Sequence, residues 1–407
     1  MTGDFQMLLM SLDDIRLGMV VGFGLRNKDG QTLLGAGVAL TSEYIERLRE
    51  LGYYAVWIDD EDTRDIVVED ALSETTRQRT TAAIQETFST GSREAQKLRS
   101  VSVEQVRATL ENRRFHQVFS DNGTIERLSS QVDLVVEEVL SHAVLTGLGS
   151  LKTHTSYTYH HCLDVAVTAT MIGRLLGYDR ETLKKLAVGC MLHDIGCIFM
   201  DGEALDTPGL GAAAEASRVR EHAVLGYLFI RDGLRLGPLP AHIAYQHHER
   251  QNGTGYPRAL TGTNRIVQGA EMHLPGRITP LAEVAAIADF HDFCASNRAE
   301  RVCLAPDQVR ERVTEATGQH LNRDIVAEFL TILAPYPVGT QITVTQGRFK
   351  NHIGVVVRLN HDAMDRPVIR LLGNPTGDRI PPIDLDLRKE DLAIQGLVSA
   401  DAALAVS

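Results

Sequence analysis

Apolar and polar positions follow four different rhythms along the chain. From residue 18 to 40, GMVVGFGLRNKDGQTLLGAGVAL holds two β-type runs joined around Asp29-Gly30, a pair that favours a tight hairpin. Thr41 is placed to cap a helix through SEYIERLREL, with Tyr44, Ile45 and Leu48 on one face and Gly52 as its stop. YYAVWI then reads as a strand. Residues 1–70 therefore predict a small α/β domain with a regulatory or docking role. Residues 71–130 are polar, helix-permissive and poor in apolar heptads, which predicts a helical connector. Residues 131–335 carry helical apolar spacing in QVDLVVEEVLSHAVL, HHCLDVAVTATMIGRLLG and RETLKKLAVGCMLHDIG. Thr279-Pro280 places an N-cap before a first-turn proline ahead of LAEVAAIADFHDF. Pro335, Tyr336 and Pro337 punctuate the next boundary, and TQITVT, HIGVVVRL and RPVIRLL give short strands over 336–407. The expected class is mainly α: a helical bundle with a small α/β domain before it and a small β-barrel-like extension after it.

The chain has 407 residues and a formal net charge of -12. That balance lacks the basic footprint of a nucleic-acid polymer binder, while a small anionic ligand needs only a few local cations. Five scattered cysteines (Cys162, Cys190, Cys197, Cys294 and Cys303) form no CxxC pair, as fits a reducing, cytoplasmic setting. No apolar run is long enough to predict a membrane span, and the first residues do not resemble a signal peptide.

Histidine changes the picture. Of fifteen in the chain, His161, His193, His222, His247 and His248 fall in or at the ends of apolar helical patterns, as do Asp194 and Asp289. Imidazoles and carboxylates turned into a bundle interior are costly unless paired or metal-bound. A mixed nitrogen and oxygen set suits iron, manganese or zinc, and a carboxylate can bridge two ions. Any one of these histidines alone is more often a hydrogen-bonded core residue.

Their order resembles the HD superfamily of metal-dependent phosphohydrolases. HHERQNGTGYP (residues 247–257) resembles the HHExxDGxGYP signature of its HD-GYP family, over roughly residues 150–335. The resemblance implies an HD-type helical bundle that hydrolyses the bacterial second messenger cyclic di-GMP to pGpG, GMP or both. It implies two divalent transition-metal ions, iron or manganese, that activate a water for attack on phosphorus. One ion would be held by His161, His193, Asp194 and Asp289. Asp194, the catalytic bridge, would join it to a second held by His222, His247 and His248. Some members hold a third metal through a glutamate whose position here is Tyr157, so two are implied. Arg298 and Arg301 match the family's phosphate-binding positions, and Gly255, Tyr256 and Pro257 its substrate-side loop, a place also linked to docking of signalling proteins. The region 71–130 leaves room for a homodimer.

Two departures bear on turnover. The family's HDxGK lysine is Cys197 here, and its DGxGYP aspartate is Asn252. A thiol supplies no fixed positive charge, whereas asparagine before glycine still suits a turn. The alternatives are thus a cyclic di-GMP receptor or interaction module with weak turnover, or a phosphohydrolase acting on another cyclic dinucleotide.

Overall fold

The structure is a computed structural model. It describes residues 5–141, 157–200, 217–267, 275–295 and 304–397, apart from 7, 13–14, 23, 27–31, 52, 54, 69, 100 and 112.

The first unit holds strands β1 (Phe5–Gln6), β2 (Leu8–Ser11), β3 (Val20–Val21), β4 (Leu25–Arg26) and β5 (Thr32–Leu34), helix α1 (Ser42–Glu50), and strands β6 (Ala55–Asp59) and β7 (Val67–Val68). β6 is the centre of an antiparallel sheet in the order β2-β6-β3. β4 pairs with β5 as the hairpin pattern predicts, although Asp29 and Gly30 lie outside the described residues. Thr41 caps α1 by accepting from the Tyr44 amide. Ile45 and Leu48 enter the core, but Tyr44 does not: it is 39% exposed, one step off the apolar stripe. The Gly52 stop lies outside the described residues.

Helices α2 (Glu74–Ala95), α3 (Val103–Leu110), α4 (Arg113–Asp121) and α5 (Thr124–Ser141) follow. Ile84, Phe88, Val106, Leu110, Phe119 and Leu128 from this stretch share one core with Leu163, Leu186, Phe229 and Ile287. The region expected to connect is thus packed as part of the bundle. Its inward face was hidden because much of it is threonine: Thr76, Thr80, Thr87 and Thr90 are buried. Thr87 makes burial affordable by donating its hydroxyl to the Ala83 carbonyl one turn back. Arg77 is buried as well and joins Asp70 to Asp164 at 2.7–2.8 Å.

The bundle continues with α6 (Tyr157–Leu175), α7 (Arg180–Met191), α8 (Ser217–Leu228), α9 (Pro238–Gln246), α10 (Pro280–Ala295), α11 (Pro306–Glu315) and α12 (Arg323–Ile332). Asp179 and Asn322 cap α7 and α12 through their side chains. Helix α10 begins at Pro280 as predicted, but the Thr279 hydroxyl is not its cap. That hydroxyl is buried without a hydrogen bond, and the Thr279 carbonyl accepts from Ala282 and Glu283. Each fully buried Leu, Ile or Phe contributes about 1.5–3 kcal/mol.

Strands β8 (Gln341–Gln346), β9 (Ile353–Arg358), β10 (Val368–Gly373), β11 (Arg379–Asp386) and β12 (Ala393–Gly396) form an antiparallel sheet in the order β11-β10-β9-β8-β12. Ile342, Val344, Val356, Ile369 and Leu371 fill its core. The chain's two ends meet where Ile66 packs on Val355 and Arg370 grips Asp65. Among the described residues no helix is long and apolar enough to cross a membrane.

Candidate metal centre

The site forms where helices stop. His193 and Asp194 follow the last turn of α7, and His247 caps the end of α9 with His248 after it. His161 and Asp289 lie within α6 and α10, and His222 within α8. Two glycines let these ends close up. A Cβ on Gly196 would stand 2.0 Å from the His222 carbonyl oxygen, so only glycine lets the turn after Asp194 lie against α8. A Cβ on Gly255 would stand 2.4 Å from the His248 carbonyl oxygen, which folds the 255–257 loop onto the histidine pair.

One ligand atom from each of Asp194, His222, His247 and His248 lies within 4.8 Å of the others, and the same holds for His161, His193 and Asp289. Asp194 stands between the two groups. Its Oδ2 is 3.3 Å from His193 Nε2 and 3.9 Å from His161 Nε2. Its Oδ1 is 3.5 Å from His222 Nε2 and 3.6 Å from His247 Nε2. Asp289 Oδ1 is 3.3 Å from His161 Nε2.

The imidazoles are oriented from behind. His193 Nδ1 donates to the Cys190 carbonyl at 2.7 Å and His247 Nδ1 to the Ala244 carbonyl at 2.9 Å. A carbonyl only accepts, so the proton sits on Nδ1 and the lone pair of Nε2 faces the centre. His161 Nδ1 contacts the buried Asp292 carboxylate at 2.6 Å. Sequence reading passed over Asp292; its place three residues after Asp289 on α10, on the same helix face, was the available signal.

The residues fit a divalent cation. Nε2 of His193 and Nε2 of His248 are buried without a hydrogen bond, a costly state for an imidazole that a metal would relieve. Burial opposes charge on Asp194, yet the imidazoles, His193 first, hold its carboxyl well below the usual range. Burial and the neighbouring His247 and His222 push His248 well below the ordinary histidine value. Asp194 and Asp289 thus concentrate negative charge among five imidazoles, the donor set of a mixed nitrogen and oxygen metal site.

The loop beside the centre is held by buried polar groups. Glu249 accepts from the amides of Arg258 and Leu260. Gln251 and Asn322 both donate to Glu283 on α10. The Tyr256 ring stacks on His248, with centroids 4.6 Å apart. Gly255, Tyr256 and Pro257 are half-buried. Asn252 closes a turn, its side-chain oxygen accepting from the amide and hydroxyl of Thr254. Cys197 is buried, and burial followed by the Asp194 charge pushes its thiol well up, so it stays neutral. Arg298 and Arg301 lie outside the described residues, as does the Tyr157 side chain.

Glu283 carries a pH prediction. Burial raises its acid to about 7, against the two amide donors that favour the charged form. A folded value above the unfolded one gives a stabilising contribution that is complete below about 4.5 and lost as pH rises through about 7. Between those limits Glu283 should lower stability by about 3 kcal/mol. Urea unfolding of wild type and Glu283→Gln at pH 5 and pH 8 checks this. The wild type should lose more stability than the variant on going to pH 8, and parallel losses would reject it.

Residues 158–292 match the HD domain family. Over 244 residues the chain is 27% identical to a cyclic di-GMP phosphodiesterase of Pseudomonas aeruginosa, covering 60% of this chain and 55% of that one. It is 27% identical over 222 residues to a 3'3'-cGAMP-specific phosphodiesterase of Vibrio cholerae, covering 53% and 40%. This chain therefore spans about half the length of these relatives or less. A solved HDG"Y"P protein from Bdellovibrio bacteriovorus overlays with a TM-score of 0.43 at 15% identity, covering 80% of this chain and 99% of that one. Residues 158–292 therefore match the HD domain family, and the paired histidines at 247–248 with Gly255-Tyr256-Pro257 folded against them are the part of that match that resembles the HD-GYP signature.

Proposed function

We propose that this chain hydrolyses cyclic di-GMP to pGpG, GMP or both, using two divalent transition-metal ions, with iron or manganese the natural occupants. The single observation that carries the reading is Asp194, whose two oxygens each face a separate group of imidazoles. His161, His193 and Asp289 are assigned to one ion, His222, His247 and His248 to the other, and Asp194 to both. The substrate class comes from the relatives named as cyclic dinucleotide phosphodiesterases.

Bound there, such ions would supply Lewis acidity toward phosphate oxygens and lower the pKa of water. The chain's own residues set the frame. Carbonyls behind His193 and His247 fix the ring orientations. Asp194 and Asp289 offset cationic charge, and Tyr256 covers the side of His248. Gly255, Tyr256 and Pro257 are assigned to the substrate side, with Arg298 and Arg301 as phosphate ligands. Residues 1–70 are assigned a regulatory or docking role, strands β8 to β12 form an appended β unit, and the setting is assigned to the cytoplasm. Homodimer formation and docking of a signalling protein at the 255–257 loop belong to the same reading.

One observation favours a second reading. Cys197, buried and neutral, occupies the place of the family's lysine. That fits a cyclic di-GMP receptor with weak turnover. Protein loaded anaerobically with ferrous iron or manganese, given cyclic di-GMP and 3'3'-cGAMP in parallel, separates the readings. The enzyme reading expects linear products, most rapidly from cyclic di-GMP. Tight binding without product supports the receptor, and faster cleavage of 3'3'-cGAMP reassigns the substrate.

A further inference from the structure

A phosphodiester held beside this centre gains from a cation, and the residue that follows the HDxG turn cannot provide one, because Cys197 is a buried cysteine whose side chain carries no positive charge in either protonation state. We propose that Arg220 is a further substrate-phosphate cation of this site, beside the assigned Arg298 and Arg301, holding the anion from the Tyr256 side. The proposal rests on the cyclic di-GMP reading above.

Arg220 lies on α8, two residues before His222, and is exposed. Its guanidinium carbon is 5.3 Å from the centre of the Tyr256 ring. That same ring stacks on His248 at 4.6 Å, with 29° between planes, and meets His222 edge-on at 6.3 Å. The cation therefore stands one aromatic ring away from the second group of candidate ligands, restrained by a cation–π contact. Among the described residues no carboxylate is ion-paired with it. A guanidinium resting against a ring keeps its N–H edge open, and that edge suits two phosphate oxygens at once. The chain thus carries a positive group on the α8 wall of the site where the wall formed by residues 195–199 offers a thiol.

The test uses the full chain loaded with manganese. Initial rates on cyclic di-GMP give KM and kcat, and a hydrolysis-resistant phosphorothioate analogue of cyclic di-GMP gives equilibrium affinity. Arg220→Ala and Arg220→Gln should each weaken analogue binding about 10- to 100-fold, the range of a lost charge-assisted contact. Metal content and thermal midpoint should stay unchanged, because Arg220 is exposed and holds no ligand. Arg220→Lys should retain part of the affinity. Adding Cys197→Lys to Arg220→Ala should recover binding by supplying the charge from the 195–199 turn. Affinity and KM within twofold of wild type in both Arg220→Ala and Arg220→Gln would overturn the proposal. Loss of metal or of the folded state in both variants would also overturn it, since Arg220 would then be structural. Wild-type protein that neither binds nor cleaves cyclic di-GMP would overturn the substrate reading itself, and is distinguishable because it appears before any substitution is made.

Discussion

Asp194→Ala should lower the transition-metal content of the reconstituted protein from about two ions per chain to one weakly held ion or none. The carboxylate faces His161 and His193 with one oxygen and His222 and His247 with the other, so a single truncation removes an anionic donor from both groups. It also leaves buried imidazoles facing one another: His222 Nε2 and His247 Nε2 are 3.4 Å apart. Turnover should fall to background with the metal. His222→Ala, by contrast, should spare the group formed by His161, His193 and Asp289, and so retain one ion. Elemental analysis of the three proteins after identical loading and desalting checks the ordering. Equal metal content in wild type and Asp194→Ala would remove Asp194 from its bridging place.

Arg77→Ala should be the most destabilising of the substitutions considered outside the metal centre. The Arg77 guanidinium is buried, gives both oxygens of Asp70 a bond at 2.8 Å, and donates to Asp164 at 2.7 Å. Asp164 is 8% exposed and lies one helical turn after His161. Removing the arginine strips a buried carboxylate of its cation, a change that typically costs about 3–5 kcal/mol. The thermal midpoint should fall by roughly 10 °C. The damage should also reach the site, because α6 carries both Asp164 and His161. A midpoint within about 2 °C of wild type would show that the triad contributes little.

The parts of this molecule that were legible in the sequence are those where residue type alone forces a structure. The histidines and carboxylates in apolar helical patterns had to be paired or metal-bound, and the fold collects all seven of them into two adjoining groups. The C-terminal strands and the α1 cap were likewise written in local pattern. What stayed hidden depended on partners distant in sequence. Helix α2 reads as polar because its buried face carries threonines and Arg77, and only the presence of Asp164, 87 residues on, explains an arginine there. Asp292 orients His161 from 131 residues away. Thr279-Pro280 had the chemistry of a cap, but the Thr279 carbonyl was used and its hydroxyl left without a bond. Arg220 gives no local signal at all, since its place is defined by the ring of Tyr256. Asn252 reads correctly as a turn residue, because an Asx turn is made within three residues.

The most direct measurement of the central claim is the rate of cyclic di-GMP cleavage against metal occupancy. Stripped protein would be titrated anaerobically with manganese or ferrous iron, bound ions counted, and linear products followed by chromatography. The account predicts no product from the stripped protein, a rate that climbs with occupancy and levels near two ions per chain, and no such climb in Asp194→Ala. Fully loaded wild type that leaves cyclic di-GMP intact, or stripped protein that cleaves it at the full rate, would contradict it.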